Sequence, residues 1–153
     1  QMETQSRQTL ATWAVAYAKE RYLPIYQDAC PAEERLYAAL SECEACLRGE
    51  APSAERKAAL QTLRQIALET NGAVAQAAAR AISTACAAAQ TPTNAFGFLL
   101  YGAAAFAYHS AGLNAAQDAY DALATQELQR ALASLRSASV PGEAHPVKLR
   151  WNC

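Results

Sequence analysis

Residues 81–117 form a stretch of 37 consecutive positions that contains no Asp, Glu, Lys or Arg. Such a stretch is buried in a core, inserted into a membrane or packed against another chain. Its most apolar part, residues 95–108, is shorter than the roughly 18–20 residues that a membrane-spanning helix needs. If these helices left an uncharged face on the surface in addition to the one buried in the core, that face would promote aggregation. We therefore expect two buried core helices here, with a self-association surface as the alternative.

Alanine accounts for 39 of the 153 residues, whereas Phe occurs only three times. Alanine is the strongest helix former, and the β-branched and aromatic residues that favour strands are scarce. A mass of 16.3 kDa and a hydrophobic content of 52% are sufficient for one domain with its own core. These figures predict an all-α fold: a compact single-domain bundle of five or six helices with an alanine-rich core and an irregular C-terminal tail.

Hydrophobic periodicity and capping residues predict a helical domain over residues 1–138 and a tail over residues 139–153. Pro24 predicts a kink or a break near Tyr22, because proline lacks the backbone N–H that a helix interior uses. The fourth helix is nearly all alanine, and we expect it to be central because small faces allow close approach of neighbouring helices. The predicted helices cover residues 4–29, 32–47, 53–70, 73–89, 91–111 and 114–137.

Apolar positions near the C-terminus predict how the chain packs there. Leu128, Leu132 and Leu135 lie on the apolar face of the last predicted helix. Further along, Val147, Leu149 and Trp151 alternate with polar residues, which is a strand-like pattern. We expect the tail to fold back on its own domain or to be mobile, in preference to acting as a partner-binding arm.

The residues that could carry chemistry form no catalytic or metal-binding motif. Cys43 and Cys46 form a single CxxC pair, whereas a structural zinc site uses four ligands, usually in two pairs. The pair lies near the end of a helix beside acidic residues, which disfavours a reactive thiolate. His109 has no acid nearby in the sequence, so a hydrogen-bonded or capping role fits it better than catalysis. We predict no enzymatic activity, no metal and no cofactor.

The charges are nearly balanced, with a net charge of −1, which disfavours nucleic-acid binding. Arg56, Lys57, Arg64 and Arg80 are scattered over two predicted helices, and a solvated basic face explains them more simply than a phosphate-binding site. Residues 1–10 lack the apolar segment of a signal peptide. The odd number of cysteines, five, argues against a disulfide framework. We therefore expect a cytoplasmic protein without membrane contact.

Short motifs spread over residues 10–112 carry a family resemblance. With these motifs the chain resembles a bacterial family, the all-helical type-five-like immunity proteins. The segments Leu-Pro-Ile-Tyr and Leu-Arg-Gly-Glu are the most specific of them. The motifs are Trp13–Ala14, Leu23-Pro24-Ile25-Tyr26, Glu34–Arg35, Leu47-Arg48-Gly49-Glu50 and Ala77-Ala78-Ala79-Arg80-Ala81.

The resemblance implies a cytoplasmic protein that binds a cognate toxin and neutralises it by stoichiometric protein–protein contact. A specific contact buries roughly 800 Å² on each partner and depends on a few aromatic or arginine anchors. The second predicted helix is acidic, and an acidic patch can dock a basic partner. Helical spacing and charge select these candidate toxin-facing residues: Tyr26, Glu33, Glu34, Arg35, Tyr37, Glu42, Glu44 and Arg48.

Two other classes of function stay open at the level of the sequence. One is a small helical binding or scaffold domain that has no toxin partner and forms a homodimer through its uncharged helices. The other is an enzyme or a metal protein that uses Cys43, Cys46, Cys86 or His109.

Overall fold

The computed structural model describes residues 1–150 and confirms the all-α fold. Within these residues a short 3₁₀ helix, Met2–Thr4, precedes seven α-helices, and no β-strand is present. The α-helices are α1 (Arg7–Arg21), α2 (Leu23–Ala29), α3 (Glu34–Leu47), α4 (Ser53–Glu69), α5 (Ala73–Ala87), α6 (Asn94–Ala111) and α7 (Gln117–Ala138).

The first predicted helix consists of two helices that meet at Tyr22, where the sequence predicts a break. α1 ends at Arg21, and the N–H of Tyr22 still donates to the carbonyl of Ala18 at 2.9 Å. Pro24 occupies the first turn of α2. A first-turn position suits proline because the N–H that it lacks has no partner there in any helix.

Helix α5 is the centre of the bundle, as its small side chains predict. It contacts α1, α2, α3, α4 and α6, and its alanines at positions 78, 81 and 85 are completely buried. The most extensive helix–helix packing joins α5 to α6, the two helices that the uncharged stretch covers. The expectation that residues 81–117 supply the core is therefore confirmed for α5 and for the inner face of α6.

An aromatic cluster joins α1 and the junction between α1 and α2 to α6. The rings of Trp13, Tyr17, Tyr22 and Phe98 pack against one another with centroids 5.5–6.1 Å apart. The Tyr22 ring lies directly on the α6 backbone at Gly102, where a Cβ atom would stand only 2.2 Å from the ring. The glycine is therefore required for the close approach of this tyrosine to α6.

Glu127 on α7 is completely buried and is the main polar connection between α7 and the first two helices. Its carboxylate accepts hydrogen bonds from the Tyr17 hydroxyl at 2.8 Å and from the Tyr22 hydroxyl at 3.1 Å. The Arg21 guanidinium pairs with it at 2.8 Å, and Arg130 approaches at 3.5 Å. Burial of a carboxylate is tolerated only with such partners.

The inward face of α7 differs from the predicted face by one position. Leu135 is buried as expected, but Leu128 and Leu132 are partly exposed, and Glu127 and Ala131 take the inner positions. The predicted inner face is the one with the large apolar residues. In the structure, the hydrogen bonds and ion pairs of Glu127 turn the face that carries this residue toward α1.

Residues 139–150 return to the N-terminal segment of the chain. The backbone N–H of Val147 donates to the Gln5 carbonyl at 2.8 Å, and that of Leu149 donates to Glu3 at 3.0 Å. Glu143 accepts hydrogen bonds from Ser6 at the start of α1. Val147 and Leu149 are buried, which agrees with the predicted alternation, whereas Trp151 lies outside the described residues.

Candidate partner-binding surface

Helix α3 carries most of the predicted toxin-facing residues. Because an α-helix turns once about every 3.6 residues, they are divided between two exposed faces. Its inner stripe, Leu36, Leu40 and Cys43, is buried against the core. One exposed face, with Arg35 and Glu42, lies next to α4, and the other faces α1. The eight predicted residues therefore do not form a single patch.

The face next to α4 forms a groove of about 530 Å³, which we call the α3–α4 groove. Alanines form much of its surface, because both helices place small residues at their contact. Small side chains leave room between the helices for a side chain that comes from outside. The groove is lined by Arg35, Ala38, Ala39, Glu42, Glu55, Ala58, Ala59 and Thr62.

Arg35 stands at one end of the groove and is held by two carboxylates. Its guanidinium lies 2.8 Å from Glu33, the residue that caps α3, and 2.8 Å from Glu69 on α4. The hydrogen bonds with Arg35 hold the pKa values of Glu33 and Glu69 below their ordinary range, and they raise the pKa of Arg35. The charge of Arg35 is thus already compensated within the protein.

Glu42 and Glu55 face each other across the groove without a compensating cation. Both side chains line the groove, and the neighbouring Glu55 raises the pKa of Glu42. In residues 1–150 neither carboxyl group forms an ion pair. Neighbouring like charges repel each other, so the pair would gain from a cation placed between them.

The face of α3 toward α1 is a network of surface ion pairs. Glu44 contacts Lys19 on α1 at 3.0 Å and Arg48 at 3.8 Å, and Arg48 also contacts Glu50 at 3.1 Å. Glu34 is exposed on α3 and Tyr37 is half-buried there. Compensated surface pairs of this kind contribute little to stability or to steering of a partner.

The prediction that Tyr26 is an exposed anchor is wrong. Tyr26 lies on α2 and is only 1% exposed. The sequence predicts the break at Tyr22 but not the packing of α2, a separate helix of seven residues, against α5. Burial raises the pKa of the Tyr26 hydroxyl, and this ring contributes to the core.

The cysteines and His109 are not among the residues that line the groove. Cys43, Cys46 and Cys86 are buried, and the hydrogen bond with Cys43 together with burial raises the pKa of Cys86. His109 lies 3.1 Å from Asp28 on the exposed surface. Among residues 1–150 no three His, Cys, Asp or Glu side chains are grouped so that they could hold a metal ion.

The sequence analysis does not identify the buried network of Glu127 and its partners. A usable signal exists, because Glu127 precedes the buried Ala131 and Leu135 by four and eight positions, which is helical spacing for one face. A second signal is Arg21, the polar residue on the apolar face of α1. Together they indicate a buried ion pair between the two helices.

No helix of the described residues has the length and apolarity that a membrane crossing requires. The family model that matches the chain is described as Imm-5 like putative immunity protein, and the match spans residues 1–135. Neither the curated proteins nor the solved structures contain a significant match. Because the family match covers most of the chain, the protein belongs to the Imm-5 like immunity protein family.

Proposed function

We propose that this protein binds a cognate toxin as a stoichiometric inhibitor, and that the α3–α4 groove receives a basic side chain of that toxin. The observation that carries the proposal is the uncompensated pair of Glu42 and Glu55 in the groove. Membership of an immunity protein family supplies the class of partner.

The electrostatics of the groove favour a cation over any other occupant. Arg35 is held by Glu33 and Glu69, so it does not compensate the pair of Glu42 and Glu55. An ammonium or guanidinium group between these two carboxyl groups would replace repulsion by attraction. The alanine surface of the groove suits the aliphatic stem of a Lys or Arg side chain, which packs on apolar atoms while its head reaches the carboxylates.

Inhibition by contact needs no catalytic group in this protein. A bound inhibitor blocks a toxin by covering its active site or by holding it in an inactive form. We place this binding in the cytoplasm, where thiols such as those of Cys43, Cys46 and Cys86 stay reduced.

The test is a rescue experiment with the neighbouring reading frame. That frame is expressed in a susceptible bacterium alone, with this protein, and with a Glu42→Lys/Glu55→Lys double variant. We expect the neighbour to kill, the natural protein to restore growth, and the double variant to fail. A Glu20→Lys/Asp118→Lys variant is the matched control, because it changes the charge equally at exposed positions outside the groove.

Two outcomes contradict the proposal. If the neighbour is harmless, or kills equally with and without this protein, toxin neutralisation loses its support and the helical scaffold alternative becomes the better hypothesis. Sedimentation equilibrium then tests the homodimer form of that alternative. If growth is restored but the groove variant protects as well as the control, the toxin binds elsewhere on the surface.

A further inference from the structure

A second concave site lies where α4, α5 and α6 meet, away from the α3–α4 groove. It is a cavity of about 450 Å³, which is within the size range of small-molecule sites. We call it the α4–α6 pocket. It is lined by Arg64, Ala67, Leu68, Arg80, Ser83, Thr84, Ala87, Asn94 and Tyr101.

Among the described residues that line the pocket are two arginines and no Asp or Glu. In residues 1–150 neither Arg64 nor Arg80 forms an ion pair. Arg80 is half-buried and lies over the Tyr101 ring, with its guanidinium carbon 5.6 Å from the ring centroid. The uncharged stretch begins directly after Arg80, so α5 and α6 supply no acid to compensate these charges.

Ser83 adds a free hydroxyl group to the lining of the pocket. Its side chain lines the pocket and is only 6% exposed, yet its hydroxyl makes no hydrogen bond within the part of the chain that the structure describes. Thr84, the next residue, shows the usual arrangement, because its hydroxyl donates to the Arg80 carbonyl at 2.7 Å. The hydroxyl oxygen is not fully buried, so a ligand or a water molecule in the pocket can satisfy it.

The other side chains of the pocket complete a site for an anion that is attached to an apolar group. The N-terminus of α6 lies at Asn94, has no acidic residue in its first turn, and adds a positive partial charge. Leu68 at the rim is 72% exposed, and Tyr101 presents an aromatic ring. An apolar surface beside uncompensated cations matches a ligand that has both an apolar part and an anionic group.

We propose that the α4–α6 pocket binds a small molecule that carries an oxyanion, a phosphate or a carboxylate, on an apolar or aromatic body. The oxyanion accepts hydrogen bonds from Arg64 and Arg80 and from the Ser83 hydroxyl. The body of the ligand packs against Leu68 and Tyr101. This site is separate from the α3–α4 groove, and its occupancy does not depend on the toxin-binding proposal.

The test uses the full chain and phenyl phosphate as the probe, followed by calorimetry or by NMR shifts of the backbone amides. Sodium benzoate replaces the phosphate by a carboxylate, and benzyl alcohol is the neutral comparison. We expect saturable binding of at least one anion, shifts on α4, α5 and α6, and no saturable binding of benzyl alcohol. The relative affinities of phenyl phosphate and benzoate identify which oxyanion the pocket prefers.

Variants separate the pocket from general attraction to basic residues. Arg64→Gln/Arg80→Gln should weaken binding at least about tenfold, since each guanidinium contributes a charged hydrogen bond. Ser83→Ala should weaken it roughly two- to tenfold, as expected for one neutral hydrogen bond. The control Arg7→Gln/Arg136→Gln removes the same charge from exposed positions and should leave the affinity unchanged.

Three results would overturn the proposal: no saturable binding of either anion, equal binding of benzyl alcohol, or equal loss in the two arginine double variants. Circular dichroism and the unfolding midpoint of each variant establish that a loss of binding does not arise from unfolding. Ser83→Ala keeps the helix and changes a single hydroxyl, so it tests the site even if the double variant folds poorly.

Discussion

Replacement of Glu127 by Gln tests how α7 is held against α1 and α2. The substitution keeps the shape of the side chain and removes its charge. The carboxylate is completely buried and accepts hydrogen bonds from Tyr17, Tyr22 and Arg21, with Arg130 nearby. Gln retains one carbonyl oxygen as an acceptor, but its amide nitrogen is a donor that faces other donors.

The expected loss follows from the exposure of the two arginines. Breaking a buried ion pair by removal of one partner costs about 3–5 kcal/mol. The side chains of Arg21 and Arg130 remain 27% and 44% exposed, so water hydrates part of the charge that the substitution leaves unpaired. We therefore expect Glu127→Gln to lower the free energy of unfolding by about 2–3 kcal/mol. For a chain of this size the melting temperature would fall by roughly 4–12 °C.

Urea unfolding followed by circular dichroism measures this loss. Tyr22→Phe removes one hydrogen bond to the same carboxylate and should cost about 1.5 kcal/mol. Glu20→Gln changes an exposed glutamate and should stay within about 0.5 kcal/mol of the natural protein. If Glu127→Gln lowers the free energy of unfolding no more than Glu20→Gln does, the buried network does not stabilise the bundle.

Two further predictions concern a close contact and a pH dependence. Gly102→Ala should destabilise the fold by about 1–3 kcal/mol in thermal or urea unfolding, because its Cβ would lie 2.2 Å from the Tyr22 ring. Hydrogen bonds from Thr9 and Ser6 lower the pKa of Glu143, so the folded state favours the carboxylate. The resulting stabilisation is complete above the ordinary glutamate pKa of 4.5 and is lost as the pH falls through the lowered value.

Matched variants decide both predictions. Gly97→Ala on the same helix places its Cβ 3.3 Å from a Thr84 methyl carbon, a contact that a small shift accommodates, so it should be far milder than Gly102→Ala. Equal effects of the two would contradict the steric argument. Glu143→Gln should reduce stability at neutral pH and flatten its fall below pH 4.5 in urea unfolding. If the stability of Glu143→Gln falls below pH 4.5 as steeply as that of the natural protein, Glu143 does not contribute to the pH dependence of stability.

Local signals in the sequence were sufficient for most of the fold. Pro24 marks the break at Tyr22, and the alanine-rich α5 is central because small side chains favour close packing. The position of a side chain around a short or amphipathic helix depends on the tertiary partners, and there the predictions were weaker. Tyr26 is buried because α2 is a separate helix, and Leu128 is partly exposed because Glu127 takes the inner position.

The candidate surface was predictable only in outline. The acidic character of α3 follows from the sequence, but the partner of each charge comes from other helices. Glu69 on α4 compensates the charge of Arg35, and Lys19 on α1 compensates the charge of Glu44. The neighbour of Glu42 on α4 is instead another carboxylate, Glu55. These pairings join residues far apart in the chain, so helical spacing within α3 does not reveal them.

The most direct test of the proposed function is calorimetric titration of the purified neighbouring gene product with this protein. We expect one binding event with a 1:1 stoichiometry. Glu42→Gln/Glu55→Gln should weaken it by at least about tenfold, because the toxin cation loses both carboxylates. Glu20→Gln/Asp118→Asn, which removes the same charge elsewhere, should leave the affinity unchanged. Absence of binding would contradict toxin neutralisation, and equal affinity of the two double variants would contradict the role of the α3–α4 groove.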